Sequence, residues 1–251
     1  MNILVHGHRG AKSVKPENTM PAFEHAIQAG ADFIELDLAV TRDDVLVVSH
    51  DPILPEALCS GGRGTRVIRE MTLKQLRQWD CGAGQIPNTR APTLDEVLAL
   101  ARSSRIQFNI EIKSSPEHPQ YTPSPEPYAQ MVIDAIRKHA IERRCIVQSF
   151  DFRTLHAMKK LAPDIRLSAL ESKSQDDFAA IARRAGGTEM ISPHYRLVTP
   201  EKVKAAHAAG LQVVPWTVND AAEWQRLIEA GVDAIITDDP AGLMAHLKRK
   251  R

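Results

Sequence analysis

Cysteine is scarce in this chain: three in 251 residues, Cys59, Cys81 and Cys145, with no CxxC pair. So sparse and odd a count reads as reduced thiols in a cytoplasmic protein, with Cys59–Cys81 as a conceivable bridge. Charge of one sign is also lacking. The formal net charge of +1 leaves no polyelectrolyte field for nucleic acid or an anionic membrane surface. Long hydrophobic runs are missing: none approaches the ~20 residues that span a bilayer, so no stable membrane insertion is expected. The first apolar run breaks at His6, which does not fit a secretory leader. Aromatics make up 5% of the chain, which offers little material for a greasy groove. Oligomeric state is not readable.

What is present is an alternation. Strand-like runs at Ile3–Gly7, Phe33–Leu38, Ile106–Ile112, Cys145–Ser149, Ile165–Leu170, Met190–Ser192, Leu211–Trp216 and Ala234–Thr237 are separated by amphipathic stretches. Helices are expected at Pro21–Ala29, Leu94–Arg102, Tyr128–His139, Phe152–Leu161, Asp176–Arg184, Pro200–Ala209 and Ala221–Glu229, several stopping at Gly. Eight such units over about 250 residues predict one α/β domain spanning 1–251, a (β/α)8 TIM barrel, with an open doubly wound sheet as the rival. One spacing is too long. After a hairpin arm at Val45–Ser49, residues 51–92 carry two Gly-rich pieces and a short helix near Leu73–Trp79, and read as a small insertion between strand 2 and helix 2. Pro116–Pro127 holds five prolines and reads as a stiff rim loop. The terminal Lys248–Arg251 reads as a solvated helix end.

Catalytic groups of a barrel lie at the C-terminal strand ends, and ionisable residues collect there. Strand 1 ends in His8 and Arg9, and the hairpin arm delivers His50 and Asp51. Side chains alternate along a strand, so Glu35 and Asp37 share one face of strand 2, and Asn109, Glu111 and Lys113 one face of strand 3. The apolar alternates must face the helices, which turns the carboxylates to the barrel axis. Three crowded carboxylates need positive charge among them, because desolvating an unpaired charge costs several kcal/mol. A hard divalent cation, Mg²⁺ or Ca²⁺, is the natural partner of Glu35, Asp37 and Glu111. His8 and His50 supply an acid and a base, and Arg9 and Lys113 an anion clamp, a set suited to attack at a phosphoryl centre. Asn18 or Thr19 is expected to cap the first helix, and Asp238 and Asp239, before Pro240, to be helix caps. His6, one layer below His8, reads as a hydrogen-bonded core histidine.

The ordered series "HRG" at 8–10, "PENT" at 16–19, "GADFIELDL" at 30–38, "VVSHD" at 47–51, "EIK" at 111–113, "WTVN" at 216–219 and "TDDP" at 237–240 resembles the glycerophosphodiester phosphodiesterase family. The resemblance implies metal-dependent hydrolysis of glycerophosphodiesters to sn-glycerol 3-phosphate and an alcohol. It implies His8 and His50 as acid and base, one cation on Glu35, Asp37 and Glu111, and phosphate held by Arg9 and Lys113. Glu17 matches a positioning residue and Trp216 an aromatic of the pocket wall. The nucleophile, water or a neighbouring substrate hydroxyl, stays open. A lysophospholipase D-type reaction on lysophospholipids is the alternative. His6 and the stretch "ILPEALCSGG" after His50 depart from the family pattern, and substrate choice is expected to lie in that insertion.

Overall fold

The computed structural model describes residues 3–248. Short β-branched and aliphatic runs form parallel strands because both of their faces are covered. These are β1 (Leu4–Gly7), β2 (Phe33–Val40), β4 (Gln107–Ile112), β5 (Cys145–Ser149), β6 (Arg166–Glu171), β7 (Met190–Pro193), β8 (Gln212–Val213) and β9 (Ala234–Thr237). Their order is β8-β7-β6-β5-β4-β2-β1-β9, all parallel, with an antiparallel arm β3 (Leu46–Val48) on β2. The two ends meet: Asp233 N–H donates to the Val213 carbonyl at 3.0 Å and Ile236 N–H to that of Pro215 at 2.9 Å. The sheet is therefore a nearly closed eight-stranded TIM barrel. Its helices are α1 (Met20–Ala29), α2 (Leu73–Leu76), α3 (Leu94–Leu98), α4 (Pro125–Lys138), α5 (Phe152–Leu161), α6 (Phe178–Arg184), α7 (Pro200–Ala208), α8 (Ala221–Ala230) and α9 (Pro240–Lys248). The main core lies between strands and helices, where Ile34, Leu36, Leu38, Phe108, Ile110 and Ile112 are fully buried. Inside the barrel, Leu4, Phe33, Ile146 and Met190 pack below the three carboxylates.

Three local differences from the sequence expectation have simple causes. β8 is shorter than Leu211–Trp216 because Pro215 has no N–H for the ladder, although Val214 and Trp216 still donate to Ile191 and Pro193. The expected helix Leu94–Arg102 starts at a reciprocal cap between Thr93 and Glu96, then tightens to a 3₁₀ turn at Ala99–Arg102. The proline-rich loop ends earlier than Pro127: Pro125 and Pro127 form the first turn of α4, where a missing N–H costs nothing. Lys248 ends α9, and the rest of the terminal basic run lies outside the described residues.

The insertion packs on the barrel mouth through its own small core, in which Leu54, Ile68, Met71, Leu76 and Trp79 bury against Ala39 and Val47. The Arg66 guanidinium lies 4.5 Å from the Trp79 ring centroid and donates to the Leu54 and Cys59 carbonyls, tying two passes of the chain together. Reduced thiols were the expectation for all three cysteines. The structure corrects this for two of them: Cys59 and Cys81 are disulfide-bonded, while Cys145 is free and buried. The bridge that the sequence left as the alternative forms because the insertion's packing brings the two Cα atoms to 3.9 Å.

Candidate active site

The alternation on two adjacent strands builds the centre. Parallel pairing sets Glu35 beside Asn109 and Asp37 beside Glu111, so three carboxylates from two strands point into the barrel mouth. One oxygen from each of Glu35, Asp37 and Glu111 lies within 4.8 Å of the others, and all three residues are buried. Burial, together with Asp37 and Glu111, holds the Glu35 carboxyl well above the usual carboxylate range. Burial also pushes Glu111 up to about 7, with Asp37 adding to it against Lys113. At Asp37 burial acts in the same direction, but Lys113 and Arg9 outweigh it and hold the group at about 2.

Turn geometry delivers the cations. Gly10 sits at φ +90°, and a Cβ there would meet the backbone carbon of Ala22 at 2.6 Å, so only glycine lets β1 turn this tightly against α1. The turn puts Arg9 itself at φ 50°. Its N–H then donates to Glu35 Oε2 at 2.9 Å, and its guanidinium reaches Glu17 Oε1 at 2.8 Å and Asp37 Oδ2 at 3.3 Å. Lys12 Nζ holds the other Glu17 oxygen at 2.9 Å. Lys113 Nζ lies 3.1 Å from Glu111 Oε1 and 3.6 Å from Asp37 Oδ1. Arg9 is shared between Asp37 and Glu17, and Lys113 between Glu111 and Asp37, so neither cation answers to Glu35 with its side chain. The burial and mutual repulsion that raise Glu35 and Glu111, and the convergence of three buried oxygens, fit a hard divalent cation held by Glu35, Asp37 and Glu111.

The histidines stand at the same mouth. His8 Nδ1 is 2.5 Å from Asp238 Oδ1, and Asn219 Nδ2 donates to the other Asp238 oxygen at 2.7 Å. A carboxylate only accepts, so Nδ1 carries a proton and Nε2 is left for chemistry. His50 Nδ1 meets Asp51 Oδ1 at 2.8 Å. Burial lowers the His50 pKa from its ordinary value, with Lys113 and Arg9 adding to that and Asp37 opposing it. Both histidines line a central cleft of about 80 Å³ together with Arg9, Glu35, Glu111, Lys113, Phe150 and Trp216. Trp216 is fixed in its wall by a bond from Nε1 to the Ser192 carbonyl at 2.8 Å.

Some assignments change. Asp238 is not a helix cap: it clamps His8, while Asp239 receives the Gly242 N–H at 2.9 Å and does cap α9. Of the two residues expected to cap α1, Thr19 takes the N-cap position, as expected, though without a side-chain cap bond. Asn18, at φ 56°, donates to Asp37 Oδ2 at 2.9 Å, and Thr19 donates to the Pro16 carbonyl. Gln148, not singled out in the sequence, donates to Glu35 Oε1 at 3.2 Å. Its only signal was an inward polar position on β5, next to Glu111 in register.

Below the carboxylates, His6 is buried, stacks on Phe33 with ring centroids 4.1 Å apart and lies 3.4 Å from Asn109 Nδ2. Burial, helped by Arg166, lowers its pKa from 6.5 to about 3. The unfolded chain takes up this proton near pH 6.5, and the folded protein refuses it until about 3. Stability is therefore intact above pH 6.5 and is lost as pH falls toward 3. At pH 5 the expected loss is about 2 kcal/mol. His6→Leu should remove that part of the acid sensitivity, read as the difference in urea midpoints between pH 7 and pH 5. Equal acid sensitivity in wild type and variant would refute it.

Residues 8–242 match the model of the glycerophosphoryl diester phosphodiesterase family. The chain belongs to that family. It is 36% identical over 253 residues to a glycerophosphodiester phosphodiesterase of Caldanaerobacter subterraneus, covering all of this chain and 99% of that one. A glycerophosphodiester phosphodiesterase of Bacillus altitudinis is 35% identical, with 94% of each chain covered. Among solved structures, a glycerophosphoryl diester phosphodiesterase of Silicibacter pomeroyi superposes with a TM-score of 0.91 at 29% identity, over 99% of this chain and 94% of that one. A phosphodiesterase of Oleispira antarctica, solved with its product sn-glycerol-3-phosphate, has the same fold at 23% identity, with a TM-score of 0.87 and 98% and 96% covered. Membership makes this chain an enzyme, a glycerophosphodiester phosphodiesterase. Among the described residues, no helix is long and apolar enough to cross a membrane.

Proposed function

We propose that this phosphodiesterase hydrolyses glycerophosphodiesters to sn-glycerol 3-phosphate and an alcohol, with His8 and His50 as the acid and base. The observation that supports it is the meeting, at one strand-end mouth, of two histidines, two cations and three buried carboxylates. Glu35, Asp37 and Glu111 would hold one divalent cation, Mg²⁺ or Ca²⁺. When bound, that ion supplies Lewis-acid stabilisation of charge on a phosphate oxygen. Arg9, steadied by Glu17, and Lys113 bind further phosphate oxygens, and Trp216 walls the cleft. The nucleophile, water or the adjacent glycerol hydroxyl, gives its proton to one imidazole; attack by the hydroxyl forms a cyclic phosphate, which water must then open to give glycerol 3-phosphate. The other imidazole protonates the departing alcohol oxygen. An acid and a base each contribute roughly 10²–10⁴, whereas enzymes commonly need ~10⁶–10¹⁷ in total. Charge stabilisation at Arg9 and Lys113 must therefore carry a large share.

The protein stripped with a chelator and resupplied with Mg²⁺ or Ca²⁺ should release glycerol 3-phosphate from glycerophosphoethanolamine only after resupply. Full turnover in the stripped protein, or release of glycerol with a phosphorylated alcohol, would refute the reading. The cytoplasmic setting expected from the sparse cysteines has the Cys59–Cys81 bridge against it, since such bridges persist in oxidising compartments. The lysophospholipase D-type reading would need the apolar pocket described next to hold the acyl arm, which turnover of a long-chain lysophospholipid decides.

A further inference from the structure

A second cavity of about 480 Å³ opens off the central cleft and shares His50, Glu111, Lys113 and Phe150 with it. Leu38, Ala39, Pro52 and Ile112 also line it, as do Tyr121 and His118 of the proline-rich segment. Their rings lie 5.9 Å apart. Phe150 is 43% exposed, unusual for a side chain of its size here, and meets the Trp216 ring edge-on at 5.5 Å between centroids. Resting on the phosphodiesterase reading above, we propose that this pocket is the subsite for the departing alcohol, and that it selects a neutral, apolar one.

The choice of arm follows from hydrogen bonding. A glycerol arm brings hydroxyls that must keep partners when desolvated. The central cleft offers them: His8, Arg9, Gln148 and Thr217 line it. The second cavity also carries Ser114, Ser115, Thr122 and Tyr121, but Ser114 donates to Asp151 and Ser115 accepts the Glu117 N–H, and most of the surface it exposes is carbon, which suits a substituent without hydroxyls. The phosphate must sit where the two spaces join, beside Lys113 and His50, which puts the alcohol oxygen next to His50. The choice of charge follows from the same junction. Glu111 is the single acidic residue lining the pocket, and Lys113 occupies it at 3.1 Å. A cationic alcohol would find no free carboxylate in this lining, since its acid is already held by Lys113.

The test is a series of glycerophosphodiesters of methanol, butanol and hexanol, and a charge pair: choline and its neutral isostere 3,3-dimethylbutanol. kcat/KM should rise about fourfold per methylene, the burial of a CH₂, mainly through KM. The dimethylbutanol ester should be preferred over the choline ester. Ser115→Trp, which fills space at a lining position, and Tyr121→Ala, which strips an aromatic wall, should each lower the hexyl-to-methyl ratio about tenfold. A variant that merely folds poorly lowers both rates and leaves the ratio alone. A flat series, a preference for choline, or an unmoved ratio in both variants would overturn the subsite. So would turnover of a long-chain lysophospholipid that collapses in Ser115→Trp, since the pocket would then hold the acyl arm. Turnover of the methyl ester reports on the phosphodiesterase reading separately, so the two ideas fail independently.

Discussion

His50→Ala should lower kcat on glycerophosphodiesters of ordinary alcohols by roughly 10²–10⁴, yet lose far less on the p-nitrophenyl ester. An alkoxide is a poor leaving group and needs a proton, whereas p-nitrophenolate departs without one. His50 borders both the central cleft and the apolar pocket, so it stands beside the alcohol oxygen; His8 borders the cleft alone. His8→Ala should therefore fall by a similar factor on both substrates, as expected for loss of the base. Measuring kcat for each variant on each ester separates the roles. Rescue of His8→Ala in place of His50→Ala would exchange them, and near-normal turnover in either variant on the alkyl ester would end the acid–base assignment. The orienting carboxylates should differ too. The side chains of His8 and Asp238 are 14% and 22% exposed, against 31% and 51% for His50 and Asp51. The wetter pair is more screened, so Asp238→Asn should cost more turnover than Asp51→Asn.

The legible parts of this site are those that one strand's alternation can carry. Phe33–Leu38 reads apolar and acidic by turns, and a buried parallel strand tolerates that only if the acids face something special. The same argument reaches Asn109, Glu111 and Lys113. What escaped depends on distant segments meeting. Asp238 lies 230 positions from His8, and only barrel closure, with Gly7 opposite Thr237, brings them together. Read locally, two aspartates before a proline are caps, which describes Asp239 and fails for Asp238. Asn18 escaped for a related reason: its left-handed backbone turns the amide toward Asp37, and although asparagine takes such a φ more readily than most residues, its identity does not say where the amide then points. The apolar pocket escaped because it is assembled from β2, the end of β4 and the residues after it, the insertion, the proline-rich segment and the residue after β5, which only the fold brings together.

Removing one carboxylate should separate affinity for the ion from stability of the fold. Glu111→Gln keeps the volume and an acceptor for Lys113, but removes a charge that burial and Asp37 already disfavour. Without divalent ions the variant is expected to melt at or above the wild-type temperature. With them the order should reverse. An ion at a hundred times its dissociation constant stabilises the fold by about 2.7 kcal/mol, a rise of roughly 5–10 °C for a chain of this size. The variant should need far more ion to show any rise. Loss of a mere outer partner of a ligand already costs ~10–100-fold in metal affinity, so loss of a direct ligand should exceed that, and kcat/KM at fixed ion should fall in step. Calorimetric titration of Mg²⁺ and Ca²⁺ into both proteins gives the affinities without reference to turnover. Equal affinities would remove Glu111 from the ligand set. An ion-free variant that melts well below wild type would show that Lys113 had already settled the charge balance, leaving the carboxylates no need of a cation.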